Sequence, residues 1–334
     1  MQRSSRLWIP LALAVALACS GAAAAQTCST AADLDPAARQ SVEAAVQQFF
    51  RMTSAADYAS LRASAIPSLA SSFGSVEGAI AENREGLQGA QSATRSLYVL
   101  SAEGNAPIAR AEFFCGVFGA NGHTANSAGF LIPNLSPGNY AIAILDARGG
   151  KMPLTVTEVL QQQGASWKLG GLYIRPQQIG GHDGIWYFRQ ARNYKQQGQA
   201  HNAWLYYLTA WTLLAPVDFM STAQLDQLSG ELQQARPADL PTRAAPMDLL
   251  AAGKTYRVTD ISAAPVGDGL DVVARFQVPS VADRGQAFAD TMAVIKAIVA
   301  KYPEFRAAFS GVVARAVPPA GEDYGSMLAM KDVK

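Results

Sequence analysis

The stretch HDGIWYFRQARNYKQQGQAHNAWLYYLTAWTLLAP, residues 182–216, carries three of the five tryptophans and four of the eleven tyrosines of a 334-residue chain. Its spacing predicts two helices, over 185–197 and 199–214, joined at Gly198, where glycine suits a left-handed helix end. On the second helix Ala203, Tyr207, Ala210 and Leu214 form one apolar stripe. Trp204, Leu208, Trp211 and Ala215 form another, about 100° around the axis, and a helix apolar on two stripes packs on two sides. The first stripe faces the first helix. Burial against a neighbouring domain is the expected fate of the second, and an exposed aromatic groove for an extended peptide or a glycan is the alternative. That makes Trp204, Trp211, Tyr187, Tyr194 and Tyr207 the candidate binding residues. Asp183 is expected to cap the first helix. His182 beside it lacks a nucleophile or a set of metal ligands, so no catalytic role is assigned to it. Arg189, Arg192 and Lys195 form a basic edge expected to be solvated. Ser221 is read as the cap of a third helix whose inner face is Leu225, Leu228 and Leu232.

Toward the N-terminus, helices come first. Asp35 is a cap with Pro36 at the first helical position, and Val42, Val46, Phe49 and Thr53 follow at helical spacing. Shorter helices are predicted over 57–64 and 75–87, the latter capped by Ser75 with Val76, Ile80 and Leu87 inward. After Gln91 the pattern alternates. Strands are predicted around Leu97 and Val99 and over 108–118, 129–132, 140–145, 152–160 and 167–174, with turns at 119–122 and at NLSPGN, residues 134–139. Helices followed by an antiparallel meander describe an α+β domain with one face of the sheet covered by the helices.

Toward the C-terminus, residues 235–246 hold three prolines and read as a linker. Strands over 256–262 and 270–278 flank Gly267-Asp268-Gly269, a hairpin signal. A helix over 284–301 has Phe288, Met292, Ile295, Val299 and Tyr302 on one face, and Pro303 ends it. Strands over 312–317 and 324–333 complete a ββαββ unit with a four-stranded sheet. The fold class is therefore α+β, divided as 26–178, 180–236, a linker over 237–246, and 247–334.

Two family resemblances accompany this reading. Tyr187, Ala191, Tyr194, Gly198, Ala203, Tyr207 and Ala210 fall at the spacing of a tetratricopeptide repeat, with Pro216 one residue late and Gln190 where the repeat prefers Leu. One hairpin is not a solenoid, and no second copy occurs. The N-terminal helices and meander, ending in WKLGGLYI over 167–174, resemble the cone-shaped nuclear-transport-factor-like fold. That resemblance implies a cone with a pocket, for which Tyr98, Phe113, Phe130 and Tyr140 are candidate lining residues. Enzymes of the family place a His–Asp or Asp–Tyr set inside the cone. Here the histidine of that region is His123, in a Gly/Asn turn, so catalysis is not carried over.

Composition sets the address. Arg3 and Arg6, the apolar run LWIPLALAVALA over 7–18 and small residues up to Ala25 form a secretion signal over 1–25. The apolar run is about a dozen residues, short of the roughly 20 that span a bilayer. Cleavage after Ala25 gives a soluble periplasmic or secreted protein. The alternative is a lipoprotein anchored through Cys19 after Ala16-Leu17-Ala18. Without Arg3 and Arg6, 25 of the 27 basic residues remain against 26 acidic ones, a net charge of −1. That balance offers no basic patch for a nucleic-acid partner. Either route leaves Cys28 and Cys115, which an oxidising compartment would pair across 87 positions, two free thiols being the alternative.

No cofactor motif, metal-ligand spacing or nucleophile elbow stands out, and no catalytic residue is assigned. The expectation is a non-enzymatic exported envelope protein of binding or scaffold type, its hairpin joining two α+β domains and contacting an envelope protein or peptide. The alternative is a small-ligand binder or enzyme that uses the N-terminal pocket.

Overall fold

A computed structural model describes residues 26–116 and 127–334. The expected signal over 1–25, Cys19, His123 and the turn over 119–122 lie outside the described residues. The chain is α+β, with its strands in two main sheets and two smaller ones.

Strand β1 (Gln26–Thr30) leads into helix α1 (Pro36–Ala55), which starts where Asp35 Oδ1 accepts from the N–H groups of Ala37 and Ala38, both at 3.0 Å. The helix buries Val42, Val46, Phe49, Phe50 and Thr53, the face its spacing predicts. Short helices α2 (Tyr58–Ala63), α3 (Pro67–Ser71), α4 (Gly74–Glu82) and α5 (Arg84–Leu87) follow. The helix expected over 75–87 breaks at Asn83, and Ser75 is no cap, since its hydroxyl donates back to the Ser72 carbonyl.

Strands β2 (Gln91–Ala102), β3 (Ile108–Cys115), β4 (Ala128–Leu135), β5 (Gly138–Arg148), β6 (Leu154–Gln163) and β7 (Ser166–Pro176) form the meander. The main sheet runs β1-β2-β5-β6-β7, antiparallel throughout. Helices α1 to α5 cover one of its faces, where Phe49, Phe50, Leu61, Phe73 and Ile80 meet Ala141, Ala143, Leu145, Val156 and Leu172. The other face is covered by the β3–β4 hairpin. Phe113 and Phe130 lie there against Tyr98, Leu100 and Ile142, with Tyr98 and Phe130 edge to face at 5.1 Å. Cys28 and Cys115 are disulfide-bonded, Cα to Cα 5.1 Å, so β1 is tied across the layers to the end of β3.

Two-residue strands β8 (Gln178–Ile179) and β9 (His182–Asp183) then reverse the chain into helix α6 (Gly184–Gln196). Asp183 caps α6, its Oδ1 accepting from Trp186 N at 2.8 Å, as expected. Gly198 turns left-handed, φ 75°, before helix α7 (Ala200–Leu214). The two helices close tightly at Gly184, where a Cβ would meet Leu214 Cγ at 2.5 Å.

The chain then returns to the N-terminal unit. Strand β10 (Met220–Ser221) pairs with β4, and Leu131 N donates to Phe219 O at 2.9 Å. Ser221 therefore lies in a strand, and the cap of helix α8 (Ala223–Ala235) is the next residue, Thr222, whose hydroxyl accepts from Leu225 N. Residues 237–246 form no regular element, yet Leu240 is buried in the core beyond them.

The C-terminal sheet has five strands rather than four, in the order β11 (Met247–Ala251), β12 (Lys254–Val266), β13 (Gly269–Gln277), β14 (Gly311–Val317) and β15 (Tyr324–Ala329). Helix α9 (Arg284–Lys301) and the short α10 (Phe305–Ala308) make the crossover between the parallel strands β13 and β14. The last expected strand is shorter than predicted, because Met330–Asp332 is a 3-10 turn. On α9 the buried residues are Ala287, Thr291, Val294, Ile295, Ile298 and Val299, whereas Phe288, expected inward, is 52% exposed. Leu270, Val272, Ala274 and Phe276 alternate into the core as their sequence pattern predicts.

Candidate functional site

Helices α6 and α7 share one apolar core with the C-terminal sheet. Tyr187, Phe188, Ala203, Tyr206, Tyr207 and Ala210 belong to the same cluster as Val258, Phe276, Val294, Phe305 and Phe309. Among the candidate binding residues, Tyr187 and Tyr207 are buried. Trp204, Trp211 and Tyr194 are half-buried and pack against that cluster. The Trp204 ring also receives the Arg236 guanidinium at 5.9 Å.

A buried phenol needs a partner for its hydroxyl, and each tyrosine of the hairpin has one. Tyr187 Oη donates to the Ile179 carbonyl at 3.0 Å, and burial pushes its phenol up to about 12. Tyr207 Oη donates to Glu231 on α8 at 2.9 Å. Tyr194 Oη reaches the Ala307 carbonyl at 3.0 Å, and Tyr206 Oη the Ala308 carbonyl at 2.5 Å. Those two carbonyls belong to the last turn of α10, where a helix leaves acceptors without intrahelical donors. The hairpin thus supplies the hydroxyl donors at the end of a helix in the C-terminal unit.

The start of α7 adds a polar clamp. His201 Nδ1 lies 2.6 Å from Glu304 Oε1, and its Nε2 lies 2.8 Å from Asp239 Oδ1. Asn202 Nδ2 donates to the Glu304 carbonyl at 2.6 Å. The imidazole also packs on Tyr302, ring centroids 4.6 Å apart, and Tyr302 Oη donates to the Asp239 carbonyl. With a carboxylate on each nitrogen, the ring holds the hairpin, residue 239 and α10 together. His182 is exposed and stacks on Trp186 at 3.7 Å, the ring planes nearly parallel.

The basic edge of α6 divides. Arg192 lies over the Phe188 ring at 4.1 Å and bonds Glu231 through Nε (2.9 Å) and Nη2 (2.6 Å). Those bonds, with the one from Tyr207, outweigh partial burial and hold Glu231 below the usual carboxylate range. Arg189 and Lys195 are exposed.

In the N-terminal unit Tyr98, Phe113 and Phe130 are core side chains between the two sheets. Tyr140 reaches the wall of a groove of about 300 Å³ that also includes Gln161, Tyr173 and Phe219. Gln161 Nε2 donates to Tyr140 Oη, which donates in turn to the Ser136 carbonyl at 2.7 Å.

The sequence reading missed Glu158. It lies on β6 between Ala143 and Leu172, on the face that packs under the helices, and is wholly buried. Neither carboxylate oxygen has a hydrogen-bond partner, and desolvation raises its carboxyl well above the usual range. Alternation places Glu158 on the same face as Leu154, Val156 and Leu160, so the period pointed inward while the charge pointed outward, and the period decided. Among the described residues no group of three His, Cys, Asp or Glu side chains is arranged to hold a metal ion.

Compared with protein-family models, curated proteins and solved structures, the chain matches none.

Proposed function

We propose that the chain is an exported envelope protein of binding or scaffold type, in which the helical hairpin joins two α+β units into one body. The observation that carries this reading is the double attachment of residues 182–235. The hairpin shares its core and its tyrosine hydroxyls with the C-terminal unit, while β10, directly after it, completes a sheet of the N-terminal unit. A hairpin of tetratricopeptide type would serve as such a joint, and its half-buried Trp204 and Trp211 would form the rim that meets a protein or peptide. The disulfide fits an oxidising compartment. Among the described residues no helix is long and apolar enough to cross a membrane.

Two experiments test this reading. Affinity capture from an envelope extract should recover a partner with the wild-type chain and lose it with the Trp204→Ala, Trp211→Ala double variant. Equal recovery by both would place the contact elsewhere, and no recovery counts against the binding reading. The mass of the mature protein should begin at Gln26, or at a lipidated Cys19 by the other route. An intact Met1 on protein confined to the cytoplasmic fraction would remove the export reading.

A second reading rests on the groove beside Tyr140. The nuclear-transport-factor-like resemblance would put a ligand pocket in the N-terminal cone, where Tyr140, Gln161 and Tyr173 supply polar groups at an apolar mouth. It predicts that Tyr140→Phe alters small-ligand binding without altering partner capture.

A further inference from the structure

The face of the C-terminal sheet turned away from α9 carries two neighbouring arginines. Arg275 on β13 and Arg315 on β14 are register partners on parallel strands, side by side at about 4.8 Å spacing. Like charges at such neighbouring positions destabilise a sheet. Each is drawn outward by an aspartate. Arg275 Nη1 donates to Asp260 Oδ2 at 2.9 Å, and Arg315 donates to Asp323 through Nε at 2.7 Å and through Nη2. Both arginine side chains remain 41% exposed. Arg275 keeps Nε and Nη2 free of hydrogen bonds among the described residues.

Beside Arg275 lies a groove of about 840 Å³. It sits at the carboxyl ends of the parallel pair, where Val278 N donates to Val317 O at 3.1 Å. Arg243 stands on its rim, in a turn closed by Thr242 N to Ala245 O and Ala245 N to Thr242 Oγ1, both 3.0 Å. Its guanidinium makes no ion pair or hydrogen bond among the described residues. The remaining walls include Pro279, Pro318 and Pro319, which are rigid and donate no backbone hydrogen bond. A strand therefore cannot pair with these walls as it would with a free sheet edge. Two guanidinium groups face one carboxylate, Asp260, that is already bonded.

We propose that this groove docks an extended, carboxylate-rich peptide segment, whose acidic side chains bond Arg243 and the free edge of Arg275. The peptide backbone lies along the proline walls without joining the sheet. The proposal goes beyond the binding reading, since it names a partner chemistry for a second surface that excludes Trp204 and Trp211.

The test is fluorescence anisotropy of a labelled peptide of alternating glutamate and proline, with its glutamine counterpart and inorganic phosphate as further probes. The acidic peptide should bind the mature chain, the glutamine peptide at least about tenfold more weakly, and the affinity should fall with added salt. Arg243→Glu, at an exposed site, should weaken the acidic peptide about tenfold at low ionic strength with an unchanged circular dichroism spectrum. The Trp204→Ala, Trp211→Ala variant should bind it as the wild type does, which separates this site from the hairpin. Equal binding of the two peptides, no binding, or an unaffected Arg243→Glu variant would overturn the proposal. So would a peptide that binds no more tightly than phosphate, which would mark the groove as a free-anion site.

Discussion

His201 and Glu304 meet at 2.6 Å, a bond that ties the first turn of α7 to the residue before α10 across 103 positions of sequence. The other ring nitrogen holds Asp239 at 2.8 Å, so one imidazole fixes three segments. One carboxylate lies on each ring nitrogen, so removing the imidazole takes away both contacts at once. His201→Ala leaves both carboxylates without this partner and is expected to cost about 1–3 kcal/mol, read as a lower urea midpoint. Because Glu304 is only 22% exposed, more of the loss should come from its side of the clamp. Glu304→Gln should accordingly cost more than Asp239→Asn, and the reverse order would show the clamp to be anchored at residue 239.

The tyrosine bonds to α10 form a second joint. Tyr194→Phe and Tyr206→Phe each remove one hydroxyl donor from a helix-end carbonyl, at about 1 kcal/mol apiece. The two hydroxyls bond the carbonyls of adjacent residues, Ala307 and Ala308, so the double variant should deviate measurably from the sum of the two single ones. Strict additivity in a double-mutant cycle would mean that the two hydroxyls are independent anchors.

Local chemistry was legible in the sequence, and partnership across the chain was not. The caps at Asp35 and Asp183, the left-handed Gly198 and the alternation of Leu270 to Phe276 are each decided within a few residues, and each stands in the structure. Strand β11 was missed because its two-residue turn to β12 has Ala252 at φ 49° ahead of Gly253, where Asn or Asp would signal a hairpin. Strand β10 escaped because two residues carry no period, and only their pairing with Phe130 and Gly129 defines them. The second stripe of α7 was recognisable as apolar. Nothing within 182–216 could say that Glu304, Asp239 and the α10 carbonyls would be what the hairpin meets. Their chain separations of 38 to 113 positions exceed the reach of any local pattern.

The disulfide gives a prediction of a different kind. Cys28 lies on β1, an edge strand of five residues, and its bond to Cys115 closes a loop of 87 positions. The chain-entropy account attributes about 4 kcal/mol to such a closure. Cys28→Ser, Cys115→Ser is expected to lose most of that, and dithiothreitol should destabilise the wild type but leave the variant unchanged. Hydrogen exchange should then show β1 opening below the global unfolding energy. A variant as stable as the oxidised wild type would mean that β1 is held by its ladder to β2 alone.

Glu158 makes stability depend on pH in the direction opposite to most carboxylates. Burial among apolar side chains, with no hydrogen bond to either oxygen, raises its carboxyl well above the usual 4.5, so the folded chain keeps the proton that the unfolded chain releases. Between those two values the unfolded state binds fewer protons, and stability falls as pH rises. The contribution is complete below about 4.5, the ordinary value, and is lost as pH climbs through the folded one. Glu231, held below the usual range by Arg192, acts the other way, its contribution present above 4.5 and lost as pH falls through its lowered value. Glu158→Gln keeps the shape and removes the ionisation, so its stability curve should lack the decline that the wild type shows on the alkaline side of 4.5. Glu158→Leu also removes the unpaired polar atoms and is expected to gain about 1–3 kcal/mol at neutral pH. Urea midpoints measured from mildly acidic to mildly alkaline solution decide the matter. Parallel curves for the wild type and Glu158→Gln would show that the carboxylate finds water or a partner in the folded protein.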